Sequence, residues 1–149
     1  MLKRLWPICA AKFLSNYTDN AFKSIALLIA VRHPDAEGME AAIIAFGSLV
    51  FMVPFVTFPT IAGWASDRFH KRQIILMAKF AEVVILAFGT FTLVNISSWG
   101  FVPLFVAISM MALQSTFMSP AFLGIMPEVF DERELSKANG ILSLIGFVG

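Results

Sequence analysis

Four apolar runs, each longer than the ~20 residues needed to cross a bilayer core, follow one another with only short polar connections between them. They cover residues 8–31, 41–65, 74–96 and 99–126. Lipid offers no hydrogen bonds to the backbone, so runs of this length are expected to be helices. Strands of a membrane barrel would be nearer ~10 residues and would alternate in polarity. A fifth apolar run starts at about residue 136 and reaches Gly149 with neither a cap nor a charged stop, the pattern of a helix cut short within a longer protein. The expected fold class is all-α, a multi-pass membrane helical bundle.

Composition excludes a soluble domain. Hydrophobic residues make up 58% of the chain and charged residues 14%, against roughly 45–50% and about 25% in soluble proteins. Phenylalanine occurs 16 times and tyrosine once, a bias suited to lipid-facing and tightly packed positions where a phenolic hydroxyl would need a partner. Cys9 is the single cysteine, which excludes an internal disulfide and a cysteine-rich metal site. His33 and His70 fall in connections on opposite sides, unsuited to a shared metal. With no nucleotide-binding glycine loop and no catalytic constellation, the residues call for no cofactor and no metal. The net charge of +1 makes no case for nucleic acid as a partner.

The distribution of that charge sets orientation. Lys3 and Arg4 precede the first run, Arg68, Lys71 and Arg72 follow the second, and Arg133 and Lys137 follow the fourth. The two opposite connections contain only Arg32. The positive-inside rule then places the N-terminus and the second and fourth connections in the cytoplasm. The basic start followed by an apolar run resembles a signal peptide, but no convincing cleavage site follows, so it reads as an uncleaved first helix. Trp6, Trp64 and Trp99 fall near the expected interfaces, where aromatic anchors belong.

The polar residues inside the runs are the candidates for function. Lys12, Asn16, Asp19 and Lys23 are spaced four, three and four apart, which puts them on one face of the first helix. A carboxylate is costly in hydrocarbon, so Asp19 should face the bundle interior or an aqueous cavity. Lys23, one turn on, is placed to pair with it. The face can serve as a structural ion pair or as the lining of a substrate cavity, with Asn20 beside it. In the third run Lys79 and Glu82 can form a local pair; Glu82 lies deeper and requires a partner, a proton or water. Asn16, Asp19, Asn20, Lys23 and Glu82 are therefore the substrate-cavity candidates. Gly47 and Gly89 can admit close helix approach, and Pro54, Pro59, Pro103 and Pro120 are expected to bend or interrupt their spans.

The second connection resembles a family signature. Gly63, Asp67, Arg68, Lys71 and Arg72 match the cytoplasmic motif between helices two and three of the major facilitator superfamily, although His70 stands where many members have a second glycine. Gly63 would allow close approach and Asp67 would cap a helix end or accept from basic neighbours. In the family this acid is associated with contacts between the two halves that favour one gate state, which makes these five residues the candidate cytoplasmic gate.

A narrower resemblance covers most of the chain. Asp19, Asn20 and Ala21 are similar to an element in the first helix of bacterial lysophospholipid transporters. Ser119, Pro120, Ala121 and Gly124, followed by Pro127, Glu128, Leu135, Ala138, Asn139 and Gly140, resemble the fourth helix, loop and fifth-helix start of the same group. Relatives often have an acid about where Ser143 stands, so no role is carried over to that position. The resemblance implies a partial N-terminal half of a twelve-helix major facilitator fold, its C-terminal half lying outside this chain. It further implies a cavity near the midplane and a place in the bacterial cytoplasmic (inner) membrane.

Members of that group move lysophospholipids, notably lysophosphatidylethanolamine, to the inner leaflet, and some are fused to acyltransferase and acyl-activating domains. The function implied is secondary transport of a lysophospholipid by alternating access, with the lipid bilayer as its surroundings. Two alternatives stay open: a facilitator for another amphiphile or small solute, and the transport or anchoring module of a phospholipid-remodelling enzyme. A chain ending natively at Gly149 would instead suggest an inactive product. The residues present encode no enzyme.

Overall fold

The computed structural model describes residues 2–148; the side chains of Leu2, Phe147 and Val148 are outside that description. The described residues form an all-helical, multi-pass bundle. Helix α1 spans Leu2–Val31, α2 Glu40–Thr57, α3 Pro59–Arg68, α4 Lys71–Val94, α5 Ile96–Trp99, α6 Val102–Val129 and α7 Glu132–Val148. Three of these, α2, α4 and α6, are long and apolar enough to cross a membrane. With 30 residues, α1 exceeds the length needed, but its interior lysines and aspartate make it the most polar of the long helices.

Where the sequence suggests one run over 41–65, the chain forms two helices meeting at Phe58. Pro59 occupies the first position of α3, where its missing N–H breaks no helical bond and its fixed φ suits the start of a helix. The junction stays hydrogen-bonded, since the Phe58 amide donates to the Pro54 carbonyl at 3.1 Å and Ala62 donates to the Phe58 carbonyl at 2.9 Å. Pro54, Pro120 and Pro127 lie within continuous helices. The fifth apolar run is helical from Glu132, with Glu132 and Glu134 in its first turn, where acids oppose the positive end of the helix dipole.

Helix α6 forms the centre. Half of its most apolar stretch is buried, against 17% for α2 and for α4, whose outer faces remain open to surrounding lipid. Association in lipid relies on close packing rather than on expulsion of water. Accordingly Ala26, Ala30, Ala107, Ala112 and Ala121 are fully buried at helix contacts. Among the described glycines, Gly47 and Gly89 leave the least room for a side chain. A Cβ at Gly47 would collide with Leu27, and one at Gly89 with Phe22. Gly63 differs from the expectation: a Cβ there meets nothing within 4 Å, so no close helix approach depends on it among the described residues.

The buried apolar residues form two clusters at different heights. One, at the end bearing most of the basic residues, includes Leu5, Cys9, Met118, Phe122 and Met126. The other, toward the opposite end, includes Leu27, Ile43, Ile96, Leu104 and Ile108. Between them α1 and α6 contribute Ser15, Asp19, Gln114, Ser115 and Thr116, all buried. A polar layer thus sits at mid-depth between two apolar ones.

Candidate functional site

The polar layer opens into a cavity of about 200 Å³ where α1, α2 and α6 meet, lined by Lys12, Asn16, Asp19, Asn20, Phe51, Phe55, Ser115 and Ser119. Helices α1 and α6 run antiparallel here, so the face carrying Lys12 and Asp19 meets Ser119 and Ser115 in reverse order. Ser115 donates a short hydrogen bond to Oδ2 of Asp19. Gln114 donates through Nε2 to the Ser115 oxygen at 3.2 Å, which orients the serine hydroxyl toward the carboxylate. Asp19 is 4% exposed, and its second oxygen, Oδ1, has no hydrogen-bond partner. In its ionised form such a group keeps acceptor capacity on Oδ1 that no protein donor fills.

Lys12 donates from Nζ to Ser119 Oγ at 3.3 Å and stands 5.6 Å from the centre of the Phe122 ring. Asn16 donates to the Gly146 carbonyl at 2.8 Å, tying α1 to α7 beside the cavity. Asn20 lies at the exposed rim and donates to the Asn16 carbonyl at 3.1 Å. Three of the candidates read from the sequence, Asn16, Asp19 and Asn20, therefore share one cavity.

Lys23 does not join them. The pair expected with Asp19 is not formed; the Lys23 ammonium instead lies 4.4 Å from the centre of the Phe51 ring. It lines a separate cavity of about 300 Å³ with Ser24, Leu27 and Ile44. One turn of α1 carries Lys23 past the polar layer to the level of the second apolar cluster, where the ring face of Phe51 is the available partner. Glu82 also lies outside the cavity lining. It is buried on α4 and bound by Lys79 at 2.7 Å, the local pair its spacing suggests. Glu82, Lys79 and Lys12 nevertheless lie within electrostatic reach of Asp19.

The gate-motif residues gather at the basic end. Asp67, Arg68, Lys71 and Arg72 line a cleft of about 590 Å³ together with Glu128. Lys71 pairs with Glu128 at 3.0 Å, and its stem passes 2.9 Å from the position a Cβ would take on Gly124. The two stretches that resemble family elements, one between α3 and α4 and one at the end of α6, thus touch through Lys71. Arg68 stacks over Trp64 at 5.7 Å. Asp67 lies in the last turn of α3 and caps no helix; its exposed side chain makes no hydrogen bond or ion pair among the described residues.

Sequence reasoning did not select Ser115 or Gln114, and it placed Lys12 on the polar face of the first helix without naming it among the cavity candidates. The available signal was the polar group 114–116 and Ser119 in an otherwise apolar span, with Ser115 and Ser119 one turn apart on one face.

The chain is distantly related to bacterial proteins named as lysophospholipid transporters. It is 30% identical over 142 residues to the lysophospholipid transporter LplT of Citrobacter koseri, covering 94% of this chain and 32% of that protein. The corresponding protein of an Enterobacter species is 29% identical over 142 residues, again 94% of this chain and 32% of that protein. That of Salmonella arizonae is 28% identical over 145 residues with the same coverage. The chain spans about a third of the length of the curated relatives it matches. No family model matches it, and no solved structure does.

Proposed function

We propose that the chain is the N-terminal part of a major facilitator transporter that moves a lysophospholipid across a bacterial inner membrane by alternating access. The observation that carries this reading is the half-satisfied carboxyl group of Asp19. It is buried at mid-depth in an apolar bundle, its Oδ2 is held by Ser115, its Oδ1 has no partner, and the residue lines the cavity. Intramembrane carboxylates are costly and are retained chiefly where they meet a substrate, an ion or a partner charge. The relatives' names favour the lysophospholipid among amphiphiles.

In this reading Asp19 accepts the headgroup ammonium of lysophosphatidylethanolamine, Phe51 and Phe55 flank the head, and Asn16 and Asn20 shape the rim. Lys23 and Glu82 act at a distance: Lys23 on the entry side of Phe51, Glu82 through its field. Gly63, Asp67, Arg68, Lys71 and Arg72 form the cytoplasmic gate. The unpaired Asp67 is free to bond across to the other half of the transporter in one gate state. The N-terminus is cytoplasmic.

The test is inward movement of labelled lysophosphatidylethanolamine in vesicles holding the complete product of the gene. Saturable movement is expected, and Asp19→Asn should lower it at least tenfold at equal expression and unchanged thermal stability. Unimpaired transport by Asp19→Asn would remove the charge role, and absence of any movement by folded protein would remove the substrate.

A further inference from the structure

The cavity at Asp19 contains a second charge that the Asp19 reading leaves idle. Lys12 Nζ lines the same 200 Å³ space, has no carboxylate partner among the described residues, and is steadied by Ser119 Oγ at 3.3 Å and by the Phe122 ring. Asp19 and Lys12 are two helical turns apart on α1, and each is anchored to its own serine on α6. Those serines, Ser115 and Ser119, are four residues apart, about 6 Å along the axis. An acidic and a basic side chain are therefore held in one cavity with no direct ion pair between them. When both are charged, such a pair would gain strongly by closing directly, and the serine contacts instead keep an acidic and a basic pole apart.

We propose that Lys12 and Ser119 form an anion subsite that takes the phosphate of a zwitterionic phosphate–ammonium headgroup, while Asp19 takes its ammonium. The proposal rests on the amphiphile reading above and adds the phosphate pole to it. A lysine ammonium offers three donors: one is directed to Ser119 and the others are available to phosphate oxygens. The Ser119 hydroxyl can turn to donate to the same phosphate. The short P–O–C–C–N path of a phosphoethanolamine is comparable with the rise between the two serine anchors, about 6 Å. Neither pole alone selects such a head. A phosphate without an ammonium leaves the Asp19 oxygen unpaired beside it, and an uncharged head satisfies neither group.

The experiment is equilibrium binding to the complete gene product in lipid nanodiscs, using three fluorescent amphiphiles with one acyl chain. Their heads are phosphoethanolamine, phosphate alone, and uncharged glycerol. Lys12→Gln should weaken both phosphate-bearing probes about tenfold and leave the glycerol probe within twofold. Lys12→Arg should recover most of that loss, and Ser119→Ala should lower the same two probes by a smaller factor. Asp19→Asn should affect only the ammonium-bearing probe. If Lys12→Gln weakens all three alike, or none, the phosphate subsite is wrong while the lysophospholipid reading stands. If wild-type protein binds none of the three above protein-free discs, both are wrong.

Discussion

At the scale of single residues the site depends on which neighbour each polar side chain meets. Under the proposed reading Asp19 can serve a ligand because Ser115 occupies only one of its oxygens. Ser115 is in turn fixed by Gln114, so it positions the carboxylate. Ser115→Ala should leave Asp19 with two unsatisfied oxygens in a buried layer, a cost of roughly 1–3 kcal/mol. The expected outcome is a lower melting temperature in detergent together with weaker lysophospholipid uptake. Unchanged stability would mean that water replaces the serine. The periodicity of α1 placed Lys12, Asn16, Asp19 and Lys23 on one face. It could not tell which of them would share a cavity, because that is decided by the partner at each level: Ser119, Gly146, Ser115 and Phe51 in turn.

At the scale of helices, two glycines and one ion pair set the fit. Gly89 faces Phe22 so closely that any side chain must displace the ring. Gly89→Leu overpacks the α1–α4 contact, at a cost of about 1–3 kcal/mol; a thermal melt of the purified protein reads it directly. The Lys71–Glu128 pair joins the α3–α4 connection to the end of α6 but is partly exposed, with Glu128 at 56%. Its coupling energy in a double-mutant cycle should therefore not exceed ~1 kcal/mol, while gating, read as transport rate, should respond more than stability does. The prolines show how far sequence reading reaches for elements. Pro59 does start a new helix, but Pro54 and Pro120 lie within continuous ones, because neighbouring groups and local adjustment accommodate the lost bond.

At the scale of the whole molecule, a polar layer held between two apolar clusters is an arrangement that favours a midplane site over a continuous pore. The helical, membrane-crossing character was legible in the length of the apolar runs, because backbone hydrogen bonding in lipid leaves so few alternatives. The polar layer was only half legible: α1 announced itself through charge, whereas the α6 contribution is serine and glutamine, residues that helices in lipid also use for ordinary contacts. The basic N-terminal segment and the two basic connections lie at one end of the bundle, with Arg32 at the other. In a Cys9→Ala background, cysteine at Lys137 should react with an impermeant thiol reagent only from the cytoplasmic side, and cysteine at Asp35 only from the outside. The reverse pattern would invert the topology.

The cavity's role as a headgroup site is tested most directly by substrate protection at its rim. Asn20→Cys, in the Cys9→Ala background of the complete gene product, places a thiol at the exposed edge of the cavity. Its modification by a small thiol reagent should slow severalfold when lysophosphatidylethanolamine is added to saturation, and Asp19→Asn should abolish that protection. A modification rate indifferent to the lysophospholipid, in protein shown to transport it, would place the headgroup elsewhere and contradict the assignment of this cavity.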